Sequence, residues 1–278
     1  MKLLGAALAL AAGLQVAAAE DKPLWDFGLG VGAVSFADYR GADTTHVYVL
    51  PLPVFYYRGK FLKSDRNGIR GKLFSQDWIE LNISANATTP VRRNAARAGM
   101  PDLRSTVEIG PSLDLHLWKS ADERVKFDVR VPLRGVFTVQ APPHFIGSIF
   151  APHASIDIKD VAGFQGWYLG ALAGPLFGDH RYHDYFYTVA PQFATPERAA
   201  YQARAGYSGA EFLVALSKRY PSFWVGGYVR RDTLAGAAFE SSPLVKRDSY
   251  WAAGAGIAWM IRQSKRMVSD TDTDTDDQ

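Results

Sequence analysis

Val125-Lys126-Phe127-Asp128-Val129-Arg130-Val131-Pro132-Leu133-Arg134 sets an apolar residue at every odd position and, Pro132 apart, a charged one at every even position. A repeat of two sends the sets to opposite faces of a β-strand. One face must meet hydrocarbon, and the other carries Lys126, Asp128, Arg130 and Arg134. Packing that charged face into the dry core of a soluble sandwich would be costly, because an ion leaving water needs a partner and further hydrogen bonds. A membrane β-barrel removes the conflict: the apolar face meets lipid and the charges line a polar interior where they pair or stay hydrated.

The pattern extends outward from this segment in both directions. Val107, Ile109, Leu113, Leu115 and Leu117 alternate with Glu108, Ser112, Asp114 and His116, and Ile79, Leu81, Ile83, Ala85 and Ala87 alternate with Glu80, Asn82, Ser84 and Asn86. Near the start, Trp25, Phe27, Leu29, Val31 and Ala33 alternate with Asp26, Gly28, Gly30 and Gly32, which leaves one face almost without side chains. Further strands are expected near 47–57, 69–74, 145–159, 165–177, 184–190, 207–218, 223–232 and 249–262. The fold class is all-β, an antiparallel transmembrane β-barrel of about twelve strands, ten being the alternative count, in an up-and-down meander. Short connections at 119–124 and 219–222 contrast with long ones at 88–103, 177–184 and 234–248, as in outer-membrane barrels with tight periplasmic turns and long outer loops. Aromatics near segment ends, including Trp78, Trp118, Trp167, Trp224, Tyr250, Trp251 and Trp259, suit interfacial girdles.

Composition narrows the chemistry. The chain has 278 residues, 31 Lys+Arg, 28 Asp+Glu, 6 His and no Cys. The missing cysteine excludes disulfides, thiolate metal sites, a cysteine nucleophile and an N-terminal lipoprotein cysteine. Residues 1–19 read as a secretory signal: Lys2, an apolar run of Leu, Ala and Gly, then Ala17-Ala18-Ala19 before the expected cleavage. Residues 20–262 form the expected outer-membrane barrel. Residues 263–278 form an expected disordered, acidic, periplasmic tail whose Asp270, Asp272, Asp274, Asp276 and Asp277 have no apolar residue to bury. Without Lys2 and those five aspartates, 30 Lys+Arg face 23 Asp+Glu, a body charge of +7 with no basic run to suggest nucleic acid.

No catalytic, cofactor or metal residue is assigned. An outer-membrane lipid-modifying hydrolase, the remaining alternative, would need a Ser, a His and an acid meeting at one rim, but Ser112, Asp114 and His116 share a strand face and are spaced along it like a polar stripe, not like a triad. His180 and His183 lie in a stretch read as a solvated loop. Gly28, Gly30 and Gly32 lack the following helix that a phosphate cradle needs. The candidate site is therefore an ionic network in the lumen: Glu108, Asp114, Lys126, Asp128, Arg130 and Arg134. It serves either as filler of a narrow lumen or as the lining of a small-solute channel.

Three motifs carry a family resemblance. They are Trp25-Asp26-Phe27-Gly28-Leu29-Gly30, then Tyr39-Arg40-Gly41-Ala42-Asp43 ahead of Pro51 and Pro53, and Gly236 to Val245 with Ser242-Pro243-Leu244. In this order the chain from Trp25 to Ile261 resembles the MipA/OmpV family, the MltA-interacting proteins. The resemblance implies a Gram-negative outer-membrane barrel surrounded by lipid. It also implies a scaffold that brings a lytic transglycosylase together with a penicillin-binding murein synthase.

Overall fold

The computed structural model describes residues 22–58, 62–65, 68–76 and 78–268. The expected signal segment and the Asp-Thr tract lie outside them. Strands come in the order β1 (Lys22–Pro23), β2 (Trp25–Ala37), β3 (Thr45–Arg58), β4 (Leu62–Asp65), β5 (Gly68–Gln76), β6 (Ile79–Thr88), β7 (Thr106–Lys119), β8 (Val125–Thr138), β9 (His144–Phe150), β10 (His153–Lys159), β11 (Trp167–Gly178), β12 (Gly206–Arg219), β13 (Phe223–Thr233), β14 (Ser249–Gln263) and β15 (Met267–Val268). Among the described residues one α-helix, α1 (His180–Tyr187), stands between β11 and β12. Among the described residues no helix is long and apolar enough to cross a membrane.

Every ladder is antiparallel, and from β2 to β14 consecutive strands pair, β9 and β10 apart. β9 pairs with the outer half of β8 and β10 with its inner half, and both pair with β11, so they are two halves of one strand position. Counting them once, β2 to β14 occupy twelve positions, the expected number. The ladder between β14 and β2 runs from Ala253↔Ser35 to Gln263↔Asp26 and joins the last long strand to the first. At the far side β3 meets β4 through two pairs only, Tyr57↔Ser64 and Arg58↔Lys63.

Register carries one face round the sheet. Gly32 stands opposite Gly256, Gly226 opposite Gly256, Ser217 opposite Gly226, Asp157 opposite Gly170, Lys126 opposite Asp157, and Asp114 opposite Arg130. All of these point inward, while Leu29, Val31, Ile109, Leu133 and Val229 are exposed on the outside. Hydrocarbon would cover that outer surface. Trp118 and Trp259 project outward at the end of the tight turns, where Trp78 is also exposed, and Trp251 at the opposite end, where girdles belong. Two aromatics depart from that reading. Tyr250 is buried on the inside, and Trp224 shares the inward face with Gly226.

Trp118 reaches the outside because the register shifts between His116 and Trp118, a β-bulge at Leu117 that reverses the alternation. The barrel also extends past residue 262. Ser264 donates its N–H to the Trp25 carbonyl, and β15 pairs with β1, so ordered pairing continues to Val268 instead of ending where the tail was expected.

The larger correction is α1. The stretch 184–190 was expected as a strand and 177–184 as an open loop, yet His180–Tyr187 is helical. Asp179 caps it by accepting the Tyr182 N–H at 2.8 Å, and its other oxygen accepts the Ser148 N–H at 2.8 Å, tying the helix to β9. Gly147 passes so close beneath that an added Cβ would lie 2.4 Å from the Tyr182 nitrogen. Burying Tyr182, His183, Phe186 and Tyr187 requires a helix, since only that geometry brings this spacing onto one face.

Candidate functional site

Two regions carry the buried polar chemistry: the lumen beside β6–β8 and the outer mouth beneath α1. In the lumen, the six residues singled out from the sequence all lie on inward positions of β7 and β8, and register sorts them into cross-strand pairs. Arg134 meets Glu108 at 2.9 Å, and Arg130 approaches Asp114 at 3.5 Å. Asp128 pairs with His116 at 2.9 Å. Lys126 stands opposite Asp157 on β10 and Lys119 on β7.

Neutral groups complete the network, and sequence reading had not included them. Asn82 donates to Asp114 at 3.0 Å, Ser112 donates to the other Asp114 oxygen at 2.7 Å, and Arg134 donates to Ser84 at 3.1 Å. The short Ser112–Asp114 bond shows that residues two apart on one face can touch here, although His116 turns instead to Asp128. Glu108, Asp114, Asn82 and Ser112 are all buried, so at this level the side chains fill the wall against one another. Such charges are stable away from water only when paired and hydrogen-bonded, as these are.

The opposite wall is smooth. Gly28, Gly30 and Gly32 on β2 face inward beside Gly256 and Ala258 on β14. Leu50, Leu52 and Val54 share the inward face of β3. The lumen is thus charged along β7 and β8 and lined by glycine and aliphatic side chains along the middle of β2 and β3.

A packed cap sits at the outer mouth. Tyr39, Tyr182, Phe186, Tyr187, Leu234, Phe239 and Tyr250 belong to one buried cluster drawn from α1, β14 and the loops. Tyr187 stacks on Phe239 with ring centroids 3.6 Å apart, and His183 meets Phe239 edge-on. Two of the motifs interlock here. The Tyr39 hydroxyl donates to the Leu244 carbonyl at 2.8 Å, Lys246 N–H donates to Gly41 O at 2.7 Å, and Ser242 Oγ donates to Tyr187 O at 2.7 Å. Gly41 has φ of +90° and an added Cβ there would lie 2.7 Å from Leu234 Cδ1, which explains why glycine stands in this motif. Asp43 and Pro243 lie at the edge of the contact, with Asp43 exposed. Arg40 reaches from the same loop to Asp232 at 2.6 Å, and Arg230 binds the other Asp232 oxygen at 2.8 Å.

His183 is fully buried, not a solvated loop residue. Its Nδ1 bonds the Arg204 carbonyl, so Nδ1 carries the proton and Nε2 accepts from Ser208 Oγ at 2.7 Å. This is a serine beside a neutral histidine. Both are buried, and the histidine's second partner is a carbonyl, so the contact links α1 to β12. Among the described residues no group of three His, Cys, Asp or Glu is arranged to hold a metal ion.

Burial holds the His183 pKa below its ordinary value against the opposing pull of Asp179 and Asp184. An unfolded histidine titrates near about 6.5, so on acidification the unfolded state takes up a proton that the folded state refuses. The stabilisation is complete above about pH 6.5 and falls below it, by up to about 1.4 kcal/mol per pH unit. Thermal midpoints measured by heat-modifiable gel mobility between pH 7.5 and 5.5 should therefore drop, and His183→Gln should flatten the slope.

The chain is similar to known outer-membrane proteins. Residues 29–261 match the family model described as MltA-interacting protein MipA. Outer membrane protein Omp26La of Vibrio anguillarum is 22% identical over 214 residues, spanning 74% of this chain and 76% of the relative. Outer membrane protein OmpV of Vibrio cholerae shows the same 22% identity, with the same 74% and 76% coverage. Among solved structures, an outer membrane channel from Pseudomonas putida F1 aligns with a TM-score of 0.44 at 12% identity, covering 88% of this chain and 98% of that one. A strand meander with a lipid-type outer face, outer-membrane relatives, and a family match from Leu29 to Ile261 lead to one conclusion: the chain belongs to the MltA-interacting protein MipA family of outer-membrane proteins.

Proposed function

We propose that this protein is a non-enzymatic outer-membrane scaffold that anchors cell-wall enzymes at its periplasmic end. The observation that carries this reading is the contrast between the ends. The outer mouth is occupied by a buried aromatic cluster, whereas the opposite end presents short turns at 120–124, 160–166 and 220–222 together with the paired terminal strands β1 and β15. By the usual orientation of such barrels, tight turns face the periplasm. Partners there are a lytic transglycosylase, in keeping with the family's description, and a penicillin-binding murein synthase; bilayer lipid surrounds the wall. The turns and the tail from Gln263 are the surfaces offered to these enzymes.

A second reading, a narrow channel for small solutes, is favoured by the charged β7–β8 wall. Planar-bilayer conductance of refolded protein lacking residues 1–19 separates the two. The scaffold reading expects a heat-modifiable, folded barrel that is electrically silent and that retains a lytic transglycosylase in periplasmic pull-downs. Steady conductance whose ion selectivity changes with Arg130→Glu or Arg134→Glu would replace it with the channel reading.

A further inference from the structure

The ring of ladders is incomplete over the outer half of one seam. β3 pairs with β2 from Thr45 to Tyr57, but on its other edge only Tyr57 and Arg58 reach β4. The next strands are short: β4 ends at Asp65, and β5 meets β6 only from Ile79 to Ile83. From Thr45 to Val54, and from Ser84 to Thr88 on β6, the edges that face this seam have no ladder partner among the described residues.

Pro51 and Pro53 reveal how the edge is built. Proline has no N–H, yet the β2–β3 ladder runs unbroken through Leu50, Pro51, Leu52, Pro53 and Val54. In an antiparallel ladder only alternate residues exchange bonds with the partner, so both prolines occupy the non-bonded positions and direct their nitrogens to the open edge. That edge therefore loses donors at two successive outward positions. A further strand could not pair with it well, and hydrocarbon meets fewer unsatisfied groups there.

Inside the seam the surface is apolar. Leu50, Leu52 and Val54 project inward, and Leu52 Cδ2 lies 2.6 Å from where a Cβ on Gly256 would stand and 3.7 Å from one on Gly32. The glycines give Leu52 its seat. Leu50, although directed inward, is 46% exposed, so space remains beside it.

We propose that the wall is laterally open between β3 and β6 in its outer half and admits one acyl chain of an outer-leaflet lipid, lying against Leu50, Leu52 and Val54. The bilayer is the occupant's source because the opening faces hydrocarbon and its prolines disfavour an added strand.

The cysteine-free chain permits a direct test. Full-length mature protein carrying Leu52→Cys, Val49→Cys or Ser217→Cys is labelled with bimane and reconstituted in vesicles of phosphatidylcholine brominated on its acyl chains. Val49 faces outward, and Ser217 faces the lumen from β12, away from the seam. Quenching at Leu52 should be at least half that at Val49 and several-fold greater than at Ser217. Quenching at Leu52 no stronger than at Ser217 would overturn the proposal, as would quenching that needs brominated free fatty acid. If Leu52→Cys lacks heat-modifiable mobility, Leu50→Cys is read by the same criteria.

Discussion

Asp232→Ala is expected to lower the stability of the folded protein by about 3–5 kcal/mol, the usual cost of leaving a buried ion without its partner. The carboxylate is fully buried and serves two guanidiniums, Arg40 at 2.6 Å and Arg230 at 2.8 Å. Tyr250 stands opposite it in the β13–β14 ladder. Alanine would strand both arginines, and Arg40 is only slightly exposed, so water cannot readily replace the lost oxygens. The loop that holds Tyr39 and Gly41 would lose its main tether to the wall. Two readouts check this: a lower urea midpoint by tryptophan fluorescence, and new cleavage by an external protease near residues 39–44. Asp232→Asn keeps the shape and one acceptor oxygen and should fall between wild type and alanine. If Asp232→Ala retains the wild-type midpoint, the tether contributes little.

Gly30→Val should prevent the folded form from accumulating. Gly30 stands opposite Ala258 in the β2–β14 ladder, and a Cβ placed on it would come within 1.8 Å of the Ile257 carbonyl oxygen and 2.4 Å of Ala258 Cα. Both are backbone atoms, so no side-chain rotation relieves the contact. The strands would have to separate where the first meets the last, a larger disturbance than the about 1–3 kcal/mol of ordinary overpacking. Refolding followed by unheated gel electrophoresis should show only the unfolded mobility, while Gly32→Ala, whose Cβ would sit 3.5 Å from the nearest atom, should fold normally. A heat-modifiable Gly30→Val band of wild-type intensity would contradict this account.

These cases show which information the sequence held. The strands were legible because each strand's own repeat of two sets its faces, and the charges of Val125–Arg134 cannot sit comfortably in any dry core. The candidate lumen residues were legible for the same reason, but their pairings were not. Which charge meets which depends on register, and register here depends on the bulge at Leu117 that no local signal marks. His116 was visible as a stripe residue, and only the fold makes it the partner of Asp128. The helix was missed because it is one short, aromatic-rich element of low intrinsic propensity, stabilised by burial against the mouth. Asp179 as a cap, with apolar or aromatic positions at 182, 183, 186 and 187, was the available signal. The motifs of residues 39–43 and 242–244 were noticed separately, and their contact joins segments some two hundred positions apart, beyond any periodicity.

That contact also bears on how the molecule is made. The two loops spring from β2–β3 and from β13–β14, hairpins that become neighbours only when β14 joins β2. The bonds from Tyr39 to Leu244 and from Lys246 to Gly41 can therefore form only once β14 has docked on β2. The cap then works as a latch and as a record of completion: a chain halted with its final strand undocked lacks these bonds, and a completed one buries Tyr39, Gly41, Ala42, Ser242 and Leu244. A protease added outside the cell would thus act as a clock for insertion, cutting unfinished molecules and sparing finished ones.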